Sequence, residues 1–189
     1  RQHQADAEPG DGAVEWLNGV WIREDLSVAD FAQKFAEWGL NSEYVNAILP
    51  LIIPRIDTFS DVADVAGFFF KGQLDVTAES FADIKMEEET LRKALQFALW
   101  KLEALRSWEK DKIFAEMKSL AQAMEVKPKD FFAPLFVAVA GTTASVSVFD
   151  SMTILGPDMT RARLRHAVNA VGGPSKKETK RWEKEFAEL

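Results

Sequence analysis

The most informative segment of the sequence runs from Lys127 to Gly156 and reads KPKDFFAPLFVAVAGTTASVSVFDSMTILG. It begins with a Lys-Pro-Lys step and continues with an apolar run from Phe131 to Gly141. A Thr/Ser-rich segment then leads into a sequence that predicts a helix over about 147–155. The Gly156-Pro157 pair is a helix stop, because proline lacks an N–H and clashes with the preceding turn. Short helical segments and loops therefore alternate in this region.

Helical periodicity continues on the N-terminal side of the chain. Ser27 is an expected N-cap, with Asp30 three residues later in a capping-box position. Phe31, Phe35 and Trp38 follow at a spacing that places them on one helix face. This helix is expected to end at Gly39. Three indoles lie at core-like spacings and are interpreted as structural residues: Trp16, Trp21 and Trp38.

The remaining pattern is also helical. The strongest helix is expected over about 86–107, where acidic residues in the first turn suit the helix dipole. Further helices are expected over about 42–49, 58–66, 110–124, 158–171 and 176–187. No segment alternates apolar and polar residues for long, and no hairpin dipeptide joins two apolar runs. The sequence therefore predicts an all-α protein.

The composition limits the kinds of site. The chain has 189 residues, of which 47% are hydrophobic and 28% charged, as in one large or two small globular domains. It has no cysteine and only two histidines, His3 and His166, so no metal site is expected. It contains neither a G-x-S-x-G elbow nor a P-loop, and no catalytic site of its own is predicted. No targeting signal or membrane span is expected, and a cysteine-free chain suits the cytoplasm.

The charge is unevenly distributed. The net charge of −7 argues against a wholly basic nucleic-acid binder. The stretch 158–181, however, has seven Lys and Arg residues against two acidic ones, a local charge of +5. A locally basic face is an electrostatic footprint for a polyanion, although an ordinary solvated helix surface is an equal alternative.

Two segments carry a resemblance to a known family. The stretch 127–156 closely resembles the C-terminal anticodon-binding region of bacterial glutamyl-tRNA synthetases. That region has a basic-Pro-basic step, a Pro-Leu-x-x-Ala-x-x-Gly turn, a Thr/Ser-rich loop and a Phe-x-x-x-x-x-Leu-Gly helix end. These elements correspond here to 127–129, 134–141, 142–147 and 149–156. The segment WLNGVWIR at 16–23 resembles the Trp-Leu-Asn-Gly-x-Tyr-Ile-Arg segment that follows the family's catalytic core.

The resemblance covers about 13–172 and implies an α-helical anticodon-binding cage made of two small helical subdomains. It implies the segment after the catalytic core over 13–23 and subdomains over 24–72 and 73–189. The polar residues of 1–12 predict a flexible tail. The resemblance also implies a helix between Pro134 and Gly141, where the β-branched Val137 and Val139 would equally suit a strand.

The family attaches glutamate to its tRNA with ATP and magnesium, and its HIGH-like and KMSKS-like signatures do not occur here. The resemblance therefore implies a C-terminal part that binds tRNA but does not ligate alone and needs no cofactor of its own. The expected partners are the glutamate tRNA and the missing catalytic domain of the same enzyme. A monomer is expected.

Anticodon bases are unstacked and can be read on their base-pairing edges. Arg55 stands in Pro54-Arg55-Ile56-Asp57-Thr58, which matches the family's Pro-Arg-x-Asp-Thr, and the family arginine reads the third anticodon base. A guanidinium suits bidentate contact to a base edge, and Asp57 could orient it. The alternatives are a surface arginine paired with Asp57 and a plain polar interhelical loop at 142–148. The implied anticodon-binding residues are Arg55, Asp57, Phe136, Thr142, Thr143, Ser145, Val146 and Val148.

Phe136 departs from the family pattern, which has arginine at this position in Pro-Leu-Arg-x-Ala. Phenylalanine donates no hydrogen bond, so Phe136 either stacks on a base or belongs to the core. This leaves open a synthetase fragment with relaxed discrimination between glutamate and glutamine tRNAs. A helical protein-interaction scaffold is the other alternative. The candidate phosphate contacts, which would give affinity rather than specificity, are Lys127, Lys129, Arg161, Arg163 and Arg165.

Overall fold

A computed structural model describes residues 11–39 and 41–189, with side chains from residue 16 onward. The α-helices are α1 (Asp11–Val20), α2 (Val28–Gly39), α3 (Ser42–Ile52), α4 (Asp61–Ala66), α5 (Glu88–Ala104), α6 (Lys110–Ala123), α7 (Pro128–Ala140), α8 (Val148–Ala170) and α9 (Lys176–Ala187). A π-helical turn covers Trp21–Asp25, and 3-10 turns cover Ile53–Arg55, Gly67–Phe70 and Ala78–Phe81. The described part of the chain contains no strand, which confirms the predicted all-α class.

The contacts divide the chain into two compact units, the first ending at Asn46 and the second running from Ala47 to Leu189. The predicted tail over 1–12 falls mostly outside the described residues, since only its last two lie within α1. The predicted division into subdomains over 24–72 and 73–189 stays a prediction.

In the first unit, α2 begins as the sequence predicts. Ser27 Oγ donates to Asp30 Oδ2 at 2.6 Å, and the Asp30 N–H donates back to Ser27 Oγ at 3.2 Å. These bonds hold the pKa of the Asp30 carboxyl below its ordinary value. The Phe31 and Phe35 rings stack 6.2 Å apart, and Trp38 lies 6.2 Å from Phe35. The predicted common face of these rings is confirmed.

The interpretation of the indoles as core residues is wrong for two of them. Trp16 is 67% exposed and Trp38 is 61% exposed in the described chain. Helical spacing identifies residues that share a face, but it does not identify what covers that face. Trp21 is also classed as exposed, at 39%.

The core of the second unit lies where α5, α7 and α8 pack together. Its fully buried side chains include Leu95, Phe97, Leu102, Phe131, Leu135, Met152 and Leu164. The predicted helix at 134–141 is confirmed as the C-terminal part of α7, and its β-branched residues Val137 and Val139 are buried. Pro128 lies in the first turn, where a missing N–H is tolerated.

Glycines end α7 and bend α8. Gly141 adopts φ 80° and closes α7 with its N–H donated to Val137 O at 2.9 Å, the left-handed ending that glycine favours. Gly156 adopts φ 78° and ψ 171°, so α8 consists of two helical segments that meet at a kink. The helix stop predicted at Gly156-Pro157 is confirmed as this kink.

A capping box begins α9 and ties it to α5. Ser175 Oγ accepts from the Glu178 N–H at 3.3 Å, and Glu178 Oε2 accepts from the Ser175 N–H at 2.8 Å. Arg92 of α5 forms an ion pair with Glu178 at 3.1 Å. The bonds from Ser175 and then from Arg92 lower the pKa of Glu178 from 4.5 to about 2.

This lowered pKa predicts how stability depends on pH. A carboxyl with a depressed folded pKa stabilises the fold fully above its unfolded value of 4.5, and this contribution is lost as the pH falls toward about 2. In urea unfolding measured across that window, Glu178→Gln should flatten the dependence of the free energy of unfolding on pH. Glu188→Gln, at the exposed end of the same helix, is the control. Parallel curves for Glu178→Gln and the unchanged chain would contradict this assignment.

Candidate nucleic-acid interface

The second unit contains a cavity of about 810 Å³, which we call the Arg55 cavity. The lining residues between 55 and 76 form one side of the cavity, which we call the first wall. Those between 140 and 145 form the other side, the second wall. The lining residues are Arg55, Ala63, Asp64, Val65, Gly67, Phe68, Lys71, Leu74, Asp75, Val76, Ala140, Gly141, Thr142, Ala144 and Ser145. The cavity therefore brings together two segments that are about 70 residues apart in the sequence.

Local hydrogen bonds fix the first wall around Arg55. Arg55 ends the 3-10 turn that follows α3, and its Nη1 donates to Leu51 O at 3.0 Å. The N–H groups of Thr58 and Asp57 donate to Asp61 Oδ2 at 2.7 and 2.9 Å. These donors lower the pKa of the Asp61 carboxyl, so it stays ionised as the acceptor that begins α4. Arg55 is exposed and can reach a ligand.

No described contact gives Asp57 the orienting role that the sequence predicted for it. No ion pair joins Arg55 and Asp57 among the residues that the structure describes. Asp57 does not line the Arg55 cavity. The Arg55 guanidinium donates to Leu51 O instead. The structure therefore gives no support to the orienting role of Asp57, and its contact with the anticodon stays a prediction.

The second wall follows from the left-handed Gly141, which turns the chain out of α7. Thr142 Oγ1 accepts from the Ala144 N–H at 3.2 Å, and Ser147 Oγ caps α8 by accepting from the Asp150 N–H at 3.4 Å. Thr142 and Ser145 line the same cavity as Arg55, and their contact with the anticodon stays a prediction.

Four other predicted anticodon residues lie outside this cavity. Thr143 is exposed but does not line it. Val146 and Val148 are 0% and 1% exposed. Their side chains fill the core beneath the loop, so the predicted apolar contact of these side chains with a base is wrong. Phe136 is half-buried on α7 and does not line the cavity, so its stacking on a base stays a prediction without support from this site.

The predicted phosphate contacts separate into two groups. Lys127 and Lys129 are exposed at the start of α7, and neither forms an ion pair with another described residue. Their phosphate role stays a prediction. Arg165 is exposed but forms an ion pair with Glu103 at 2.6 Å.

Arg163 and Arg161 do not have the phosphate-binding role that the sequence predicted. Arg163 is 1% exposed, and its guanidinium donates to backbone carbonyls, so it cannot reach a phosphate. Arg161 is half-buried, lies 5.3 Å from the ring centre of Trp108, and donates to Leu102 O and Leu105 O at the end of α5. Its guanidinium satisfies terminal helix carbonyls.

Three charged residues of the cavity were missed by sequence reasoning: Asp64, Lys71 and Asp75. The sequence does contain a signal for Lys71, because this residue directly follows the Phe68-Phe69-Phe70 cluster. Phe68 and Phe69 are buried, and the chain returns to the surface at Lys71. With Arg55, these residues give the cavity two cations and two carboxylates, and its lining also includes apolar residues such as Phe68 and Leu74. A nucleic-acid base has a flat apolar face and an edge with both donors and acceptors, which suits such a lining.

The model of the anticodon binding domain family matches residues 27–168. This match spans both walls of the Arg55 cavity and ends before α9. The chain belongs to the anticodon-binding domain family. The cavity residues therefore lie within the anticodon-binding domain, and α9 lies outside the matched range.

Named relatives of this anticodon-binding domain are glutamate–tRNA ligases. One from Marinomonas sp. (strain MWYL1) is 72% identical over 93% of this chain, which corresponds to 36% of the relative. Those of Marinobacter nauticus and Cellvibrio japonicus are 53% and 51% identical over 93% of this chain, or 36% and 35% of each relative. The chain therefore spans about a third of these relatives' length.

A solved structure shares the fold of this anticodon-binding domain. A glutamate tRNA ligase from Elizabethkingia meningosepticum, crystallised with its amino acid, superposes with a TM-score of 0.61 at 20% identity. The match covers 89% of this chain and 34% of that chain. Within the part of the chain that the structure describes, no helix could span a membrane, and no three His, Cys, Asp or Glu residues gather as they would around a metal ion.

Proposed function

We propose that this chain recognises the anticodon of the glutamate tRNA as the C-terminal part of a glutamate–tRNA ligase. The observation that carries the proposal is the juxtaposition of Arg55 with Thr142 and Ser145 across one cavity. These residues come from the two segments for which the family resemblance implied anticodon contact. Their position in one cavity is independent support, because it depends on the fold and not on the motifs.

The chemistry of the Arg55 cavity fits a single unpaired base. The Arg55 guanidinium can donate two parallel hydrogen bonds to acceptors on a base edge, and Asp64 or Asp75 can accept from an exocyclic amine. The hydroxyls of Thr142 and Ser145 can donate or accept. A base enters such a site only from a single-stranded loop, which an anticodon provides.

The parent reaction, the ATP-dependent attachment of glutamate to its tRNA, is proposed for the whole protein. In this proposal the described residues supply RNA recognition, and the ATP, magnesium and glutamate sites belong to the rest of the parent enzyme. We also propose that the protein acts in the cytoplasm as a monomer.

Binding of a matched RNA pair tests the proposal. The chain is titrated with the unmodified glutamate tRNA and with the same tRNA changed only at the third anticodon base. The expected preference for the normal base is about 1–3 kcal/mol, the discrimination of one good base contact. A glutamine tRNA is titrated in parallel, and equal affinity for it would favour the relaxed alternative. Equal weak binding of all these RNAs would contradict anticodon recognition and favour a protein-interaction scaffold.

Substitution of Lys71 should change the affinity for RNA without changing the preference for one base. Lys71 lines the Arg55 cavity as a flexible point charge, which suits a phosphate of the bound loop. Lys71→Ala should weaken binding of both members of the RNA pair equally and lower the salt dependence of log K by about one unit. Lys85→Ala removes an exposed lysine outside the cavity and is the matched control. A changed anticodon preference, or an unchanged salt dependence, would contradict a phosphate contact.

A further inference from the structure

Arg163 is a buried arginine with an unusual set of backbone partners. It lies in the second segment of α8 and is 1% exposed. Its Nε donates to Gly72 O at 2.9 Å, and its Nη2 donates to Phe68 O at 2.7 Å and to Lys71 O at 2.5 Å. Its Nη1 donates to Val139 O at 2.5 Å. One guanidinium thus bonds to two separate segments of the chain.

These two segments are the two walls of the Arg55 cavity. Phe68 and Lys71 line the cavity directly, and Gly72 follows them. Val139 immediately precedes the second wall, which begins at Ala140. Arg163 itself does not line the cavity, so it holds the walls from behind.

The walls also approach each other away from any hydrogen bond of Arg163. The Leu74 Cδ1 atom of the first wall lies 3.7 Å from the position that a Cβ atom on Gly141 would occupy. The two walls are therefore joined by the Arg163 guanidinium and also approach each other at Leu74 and Gly141.

We propose that Arg163 is a positioning residue for anticodon reading: it fixes the distance between the wall that carries Arg55 and Lys71 and the wall that carries Thr142 and Ser145. This inference rests on the proposed function. Selecting one base requires donors and acceptors on both walls to be held within about 0.5 Å of their binding geometry. A rigid planar fork with five donors can hold several carbonyls at once, whereas a lysine donates from a single point.

The test compares Arg163→Lys with Arg161→Lys. Both arginines lie on α8 and donate to backbone carbonyls, but Arg161 bonds to the end of α5, away from the cavity. Both variants are expected to lower Tm. Affinities for the normal and third-base-changed tRNA are then measured well below both Tm values. In the unchanged chain the affinity for the normal tRNA should exceed that for the changed tRNA by about 10- to 100-fold. Arg163→Lys should bring this ratio of affinities close to one, whereas Arg161→Lys should preserve it.

A second readout requires no RNA. Arg163→Lys should speed amide hydrogen exchange in 68–76 and 139–145, and Arg161→Lys should not. If Arg163→Lys does not fold, Arg163→Gln replaces it. In the unchanged chain the two walls should also open together, with the same dependence of exchange on denaturant, and independent opening would overturn the proposal.

The outcomes separate this inference from the proposed function. If the unchanged chain discriminates and Arg163→Lys discriminates equally well, Arg163 is merely structural and the inference is overturned. If the unchanged chain itself does not discriminate, the proposed function fails and the inference fails with it. Loss of discrimination in Arg163→Lys alone, with faster exchange at both walls, supports it.

Discussion

Arg55→Ala is expected to weaken binding of the glutamate tRNA by about 1–3 kcal/mol and to remove the preference for its third anticodon base. The guanidinium is exposed in the Arg55 cavity and is fixed by Leu51 O, so its fork is pre-organised before RNA binds. Alanine removes both donors that face a base edge. Parallel titrations of the normal and the third-base-changed tRNA measure the effect.

Two further variants distinguish a base contact from a charge effect. Arg55→Lys keeps the positive charge but lacks the bidentate fork, so it should retain much of the affinity and lose the preference. Arg106→Ala removes an exposed arginine outside the cavity and should leave the preference intact. If Arg55→Ala preserves the full preference for the normal base, Arg55 does not read it.

Trp182→Ala should destabilise the chain by about 3–5 kcal/mol, the usual cost of removing a large buried aromatic side chain. Trp182 is 0% exposed on α9, and its ring meets the edge of Phe97 at 6.3 Å between centroids. Arg92 lies 5.5 Å from the centre of the same ring. Urea unfolding monitored by circular dichroism measures the loss.

This prediction concerns a helix that the family match does not include. Trp182→Phe keeps most of the buried ring and should cost much less than alanine. Lys184→Ala changes an exposed residue of the same helix and should leave stability nearly unchanged. A loss of less than about 1 kcal/mol for Trp182→Ala, the ordinary range for surface substitutions and mild changes, would mean that α9 is not part of the cooperative core.

The parts of the fold that were predictable depend on local signals. The Ser27–Asp30 cap, the ending of α7 at Gly141 and the kink at Gly156 each follow from residues within a few positions of one another. Capping hydrogen bonds and left-handed glycines are decided by neighbouring residues, so sequence spacing is sufficient to find them. Arg55 was found in the same way, through a five-residue motif.

The parts that were not predictable depend on tertiary contacts. Arg163 lies between Arg161 and Arg165 on a basic segment, and this pattern predicted a phosphate contact. The packing of α8 against α7 and the first wall buries Arg163 instead. Val146 lies in a polar loop and still fills the core, because the loop folds back over it. No local pattern specifies these long-range contacts.

Hydrogen–deuterium exchange of this chain, with and without an anticodon stem-loop RNA of the glutamate tRNA, tests anticodon recognition most directly. We expect the RNA to slow exchange in residues 55–76 and 139–147, the two walls of the Arg55 cavity and their flanks. A stem-loop changed at the third anticodon base should give weaker protection at the same concentration. Protection confined to the basic start of α9, and equal for both RNAs, would show that the Arg55 cavity does not bind the anticodon.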